Sequence, residues 1–242
     1  MTLRKPVFKA AAGLAALGLA LGLAAGPALA HDEPDELAER ARRSAETLRE
    51  LLDADDSDLP SKLLADARCV AVIPKVVKAA FLFGGRHGEG YVSCRSPQGW
   101  SRPSAIKISG GSFGLQAGVE ATDMVLVFMN RHAIERLQDD NITLGGNASV
   151  AAGPVGRTAE ANTDYKLDSE IYVYSRSKGA FAGVSLEGAK LDIDEENNAM
   201  IYGSELGAAE LLSSSGPQPQ LVAPFVQALE RLVPPRASEP RM

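Results

Sequence analysis

An α+β fold, a glycine-rich antiparallel β-sandwich or barrel-like core with N-terminal and C-terminal helices, is predicted by three features of the 242-residue sequence. Helical periodicity marks the segments near the two ends. Short apolar runs of β type fill the middle, and glycine clusters punctuate them. Twenty-three glycines and 5% aromatic residues fit a tightly turned β-rich body, and 45% hydrophobic with 23% charged residues is globular composition.

Arg4, Lys5 and Lys9 precede an apolar stretch from Ala10 to Ala25, and Ala28 and Ala30 satisfy the small-x-small rule. Residues 1–30 therefore read as a signal peptide cleaved after Ala30, and the chain as a periplasmic or secreted, bacterial-style protein. The apolar run is shorter than the roughly 20 residues of a spanning helix. Beyond Ala30 the net charge is −9, unevenly spread: residues 32–58 carry −7 and residues 62–107 carry +6. Such asymmetry marks a binding face or an internal contact between the two segments. The acidic balance disfavours nucleic acid, which needs clustered bases against its phosphates.

Leu37, Ala41, Ala45, Leu48 and Leu52 recur at helical steps and predict one buried stripe in an N-terminal helical segment, residues 31–62. A second short helix follows, capped by Ser57 or Asp58, with Pro60 in its first turn. A β-rich domain, residues 63–205, is then expected. Its strands are Cys69–Ile73, Ala80–Phe83, Tyr91–Cys94, Ala105–Ser109, Phe113–Glu120 and Met124–Met129, then Ala148–Ala152, Ser169–Ser175 and Ala180–Leu186, with a helix over Arg131–Asp139. Asp194 is placed to cap a helix reaching Tyr202. Residues 206–242 read as a short Ala208–Leu212 helix, a Ser/Gly/Pro/Gln linker, a helix over Leu221–Leu232 and a loose tail.

Four motifs invite chemistry. Gly110-Gly-Ser112-Phe-Gly114 matches a nucleophile elbow, but strand-like residues follow it and the later histidine, His132, comes too soon; a glycine-rich β-turn is the better reading. Gly84-Gly-Arg86-His87-Gly-Glu-Gly90 reads as a hairpin connection or an anion-cradling loop, without the Lys-Ser/Thr of a P-loop. Asp192–Asn198 alternates oxygen ligands, but Asn197 and Gly203 stand where a calcium loop needs Gly and Glu, so capping by Asp194 is preferred. Cys69 and Cys94, an even pair in an exported chain, favour a disulfide over two buried thiols or a zinc site with His87. No metal or cofactor is expected.

From Leu63 onward the chain resembles the SYLF domain family, a lipid-binding module of bacterial exported proteins and of eukaryotic membrane-trafficking and actin-patch proteins. The resemblance lies in Ala67-Arg-Cys-Val-Ala-Val-Ile-Pro-Lys-Val-Val-Lys-Ala79, the Gly84–Gly90 and Gly99–Pro103 blocks, Ser109–Gly118 and Thr122–Met129. It continues through Ala148–Arg157 and Tyr174–Leu186 to Tyr202-Gly203. It implies a glycine-rich, non-enzymatic domain with affinity for acidic lipid headgroups. The expected function is thus a lipid-binding module of the bacterial cell envelope, with an envelope structural or protein-interaction domain lacking lipid affinity as the alternative.

A membrane-reading amphipathic helix is expected to be basic, whereas the segment before this core carries −7. The expected partner is therefore an anionic lipid or membrane surface met by Lys75, Lys78 and Arg86, with no nucleic acid and with an envelope protein as the other class of partner. The competing expectation pairs these three bases with the acids of residues 32–58. Asp123 and Arg157 are expected to be structural, the first capping a turn and the second meeting a carboxylate or carbonyl.

Overall fold

The computed structural model describes residues 33–53, 58–139, 142–153, 168–177, 180–183 and 186–233, with backbone alone for 58–59, 80–83, 112–118 and 180–183. The expected signal peptide, the Ser57 or Asp58 cap, Arg157 and the last nine residues lie outside what is described. Six helices are found among the described residues: α1 Pro34–Leu52, α2 Asp58–Asp66, α3 Arg131–Gln138, α4 Glu195–Tyr202, α5 Ala208–Ser213 and α6 Ala223–Leu232. The strands are β1 Cys69–Ser96, β2 Gly99–Trp100, β3 Ser104–Phe128, β4 Ile142–Thr143, β5 Val150–Ala152, β6 Ile171–Ser177, β7 Ala180–Gly183 and β8 Lys190–Ile193. They form one curled sheet, a half-barrel flanked by helices, in the order β2-β1-β3-β6-β5, with β8 on the other end of β3, β4 on β8 and β7 on β6.

The α+β class and the terminal helices are those expected from the sequence. Strand length and direction are not. Three short strands were expected between Cys69 and Cys94, broken at Pro74 and at Gly84–Gly90, and three more between Ala105 and Met129, with a glycine-rich turn at Gly110–Gly114. Instead β1 runs 28 residues and β3 runs 25, paired antiparallel from Cys69↔Phe128 to Val92↔Ser104. Both glycine clusters are strand rather than turn. Glycine adopts extended φ and ψ as readily as a turn, and here each cluster is held by the strand opposite: Gly84↔Ser112, Gly85↔Gly111, Arg86↔Gly110. Ser112 therefore sits in an extended strand, without the sharp turn and following helix of an elbow. The sheet is also mixed, because β5 pairs parallel to β6.

The long strand β1 doubles back on itself. Arg95 N–H donates to Arg68 C=O at 2.7 Å, and Cys69 and Cys94 are joined, their Cα atoms 3.9 Å apart. A Cβ on Gly90 would lie 2.0 Å from the Val72 carbonyl oxygen, and one on Gly88 2.8 Å from Val76 Cγ2. The two glycines are what let residues 72–76 and 88–90 approach so closely.

Both faces of the sheet are buried, which explains why its runs are continuous rather than alternating in hydrophobicity. Cys69, Ala71, Ile73, Leu126, Phe128 and Val173 point into an inner core closed by Leu137 of α3 and Leu212 of α5. Their neighbours Val70, Val72, Val125, Val127, Tyr172 and Tyr174 face an outer core under α1, α2 and α6, where Leu37, Leu48, Leu63, Phe225 and Leu229 pack. The α1 stripe is displaced from the expected one: Ala45 and Leu52 are only half-buried, while Ser44, Thr47 and Leu51 join Leu37, Ala41 and Leu48 in the core. Tyr91 fixes the helix to the sheet by donating from Oη to the Leu37 carbonyl at 2.8 Å.

Candidate functional site

The three bases singled out from the sequence do not share one rim. Between Ile73 and Val76 the β1–β3 register shifts by one residue, and Lys75 occupies this bulge with φ of 59°. Left-handed backbone at a lysine costs on the order of 1–3 kcal/mol and persists only where its surroundings enforce it. Here the enforcement is Asp123, whose Oδ1 accepts from Lys75 N–H at 3.0 Å. Its other oxygen lies 3.8 Å from Arg176 Nη1, which also meets Glu50 of α1 at 2.6 Å. Asp123 is thus a structural residue that holds a bulge.

Lys75 lines a cavity of about 640 Å³ between α1 and β1, together with His87, Glu89, Arg40 and Arg43. That cavity is charged but internally matched. Arg40 pairs with Glu89, His87 lies 3.3 Å from Glu89 and Arg43 meets Glu39 at 3.0 Å.

Lys78 and Arg86 lie on the other face of β1, at a smaller cavity of about 180 Å³. Its apolar wall is Val76, Met124 and Leu186, at the edge of the inner core, while Thr122 and Ser175 contribute hydroxyls. Glu120, the cross-strand partner of Lys78, stands at the rim and accepts from Ser177 Oγ at 3.1 Å. The Arg86 side chain is half-buried, and its Nε is buried with no hydrogen-bond partner among the described residues. Burial pushes its pKa below the ordinary arginine value. An unsatisfied buried donor on a charged group costs about 1–3 kcal/mol or more. An anion in the cavity would remove that cost through charge-assisted hydrogen bonds. The cavity is partly open to solvent and has room for a small anionic group.

None of the three bases forms an ion pair with residues 32–58 among the described residues. The acidic segment is tied down instead through Arg176–Glu50 and, in the reverse sense, by Arg40 of α1 reaching Glu89 of β1. Other bases of the positive segment are spent internally. Arg95 donates to the Ala67 and Leu64 carbonyls at the end of α2 and lies over the Trp100 ring at 4.6 Å. Arg102 binds Glu210 and Ser214. Asp194 caps α4, accepting from Asn197 N–H at 3.3 Å, and no group of three or more metal-ligating side chains is found among the described residues. Thr122, Ser175 and Glu120 were not visible as site residues in the sequence, because only the pairing of β3 with β1 and β6 sets them beside Arg86.

Residues 109–232 match the Ysc84 family, described as "Las17-binding protein actin regulator". The rat "SH3 domain-containing YSC84-like protein 1" is 38% identical over 193 residues, 77% of this chain and 56% of that protein. "Protein YSC84" of Saccharomyces cerevisiae is 37% identical over 206 residues, 81% of this chain and 44% of that protein. "LAS seventeen-binding protein 3" of the same species is 40% identical over 179 residues, 72% of this chain and 39% of that protein. The chain thus spans about half the length of such relatives. Identity at this level over most of the chain, with the family match across its second half, places it: the chain belongs to the Ysc84 (SYLF domain) family.

Proposed function

We propose that this protein is a non-enzymatic module of the bacterial cell envelope that binds an acidic lipid headgroup at the Lys78–Arg86 cavity. The observation that carries this reading is the half-buried Arg86 guanidinium, which has an unsatisfied donor and a small cavity in front of it. Lys75 contributes from the opposite face of the same strand as a long-range attractor rather than a contact. Each base near an anionic surface is worth about 1 kcal/mol, and less at high salt. The result is a weak, reversible peripheral attachment. On this reading residues 1–30 are an export leader and the protein works in the periplasm or outside the cell, facing envelope lipids.

The second reading is an envelope protein-interaction domain without lipid affinity, and the protein-binding names of the family favour it. Co-sedimentation with anionic against neutral vesicles separates the two. The informative variant is Arg86→Met, which keeps the apolar stem and removes the stranded donor. It should lose anionic-vesicle binding while melting at or above the parent. Lys75→Ala should weaken binding only slightly. Unchanged binding by Arg86→Met refutes the site, and a parent that ignores anionic vesicles leaves the protein-interaction reading.

A further inference from the structure

The middle of the β1–β3 pair is an arch without a second neighbour. Strand β6 pairs β3 only from Asp123 onward, and β8 pairs it only up to Ser109. Among the described residues, segments 77–87 and 110–121 therefore have no strand beyond each other, and both outer edges are open. Because residues 72–76 lie against 88–90, the paired ribbon leaves the body, bends and returns. Midway along it the β1–β3 register shifts between Ala80 and Leu82, a bulge at its crest.

Composition sets this arch apart. Residues 79–85 and 110–119 are uncharged runs of seven and ten residues that include Phe81, Leu82, Phe83, Phe113 and Leu115. Val119 is 77% exposed, the large hydrophobic side chain left in solvent among the described residues. Ala79, Gly85 and Gly111 are exposed too, and a Cβ at Gly111 would meet nothing within 4 Å. Open edges are normally blunted by charge. Here the charges stand only at the feet: Lys78, Arg86 and Glu120, a net of +1.

We infer that this arch is a membrane-contacting element that seats its uncharged crest in the interfacial layer of an anionic bilayer. The inference rests on the lipid reading above and names the part of the molecule that meets the membrane. Unpaired backbone groups cannot enter hydrocarbon, so the crest stops at headgroup depth, where water and headgroups satisfy its edges. The bases at its feet then sit at the phosphate level, and the Arg86 cavity opens beside them. The bulge at the crest twists the open edge, which disfavours a second strand, from another copy or a peptide, as the occupant.

The experiment places a reporter at Val119. Val119→Trp is compared with the parent, whose one tryptophan, Trp100, is 3% exposed and lies in β2 beyond the C-terminal end of β1. Vesicles are phosphatidylglycerol–phosphatidylcholine or phosphatidylcholine alone, with bromine on the upper acyl chain. On anionic vesicles the Val119→Trp emission should shift to the blue and be quenched, while the parent is not. Val119→Asp should weaken partitioning about tenfold at unchanged melting. Co-sedimentation of Val119→Trp without quenching overturns the arch and leaves the headgroup site standing. Failure of the parent to bind anionic vesicles overturns both. A blue shift that appears with protein concentration and no vesicles assigns the arch to self-association and overturns the inference.

Discussion

Adding one methyl group at residue 90 tests whether β1 really folds back on itself. In Gly90→Ala the new Cβ would lie 2.0 Å from the Val72 carbonyl oxygen and 2.7 Å from Ile73 Cα. These are backbone atoms of a buried strand whose start is bonded to Cys94, so no side-chain rotation relieves the contact. Overpacking of this kind costs about 1–3 kcal/mol, and a rigid backbone obstacle belongs at the top of that range. Replacing glycine returns at most about 1 kcal/mol in a strand. A net loss of about 2 kcal/mol lowers the melting temperature of a domain of this size by about 4–8 °C. Gly111→Ala is the control, with extended backbone and nothing near its Cβ; it should be neutral or stabilising by up to about 1 kcal/mol. Thermal melts followed by circular dichroism, with guanidinium midpoints, read both. A Gly90→Ala protein melting within about 2 °C of the parent, or Gly111→Ala proving the more damaging, would refute the doubled-back strand.

Three further outcomes are expected. Labelling of the unfolded, unreduced protein beyond Ala30 should find no free thiol, and the Cys69→Ser/Cys94→Ser variant should lose about 3–4 kcal/mol by the chain-entropy relation for a separation of 25 residues, read from its guanidinium midpoint. Asn198→Ala should destabilise by about 1–3 kcal/mol, because buried Asn198 accepts from Ala105 N–H at 2.7 Å and donates to Ser104 Oγ at 2.9 Å; a melt unchanged from the parent would contradict that. Glu170 governs an acid-side dependence: desolvation raises its pKa, but the Ser149 N–H, Arg136 and Asn130 outweigh it and hold the carboxyl below its ordinary 4.5. The ionised form is thus favoured by folding, so its stabilisation is present above pH 4.5 and lost as pH falls through the lower folded value. Denaturant midpoints of the parent and Glu170→Gln should therefore converge as the solution is acidified below pH 4.5, and a constant difference would refute the assignment.

The α1 stripe from Leu37 to Leu48, the Asp194 cap and the α+β order were all legible in the chain, because each depends on residues within one or two turns of one another. The continuous apolar runs Cys69–Ile73 and Met124–Met129 also announced strands, although not that both of their faces would be covered. Glycine is where local reading stopped. Gly84, Gly85, Gly110 and Gly111 are compatible with turn and with strand alike, and only the partner strand selects extended backbone. The same non-local pairing separates Lys75 from Lys78, since the bulge at Ile73–Val76 and the Asp123 carboxylate decide which face each base takes. It also gathers Thr122 and Ser175 beside Arg86, from positions 36 and 89 residues further along. Residue type and periodicity therefore determined what the elements are; contacts between residues distant in sequence, whose energies depend on pairing and burial, decided where the long strands run and which charges are left without a partner.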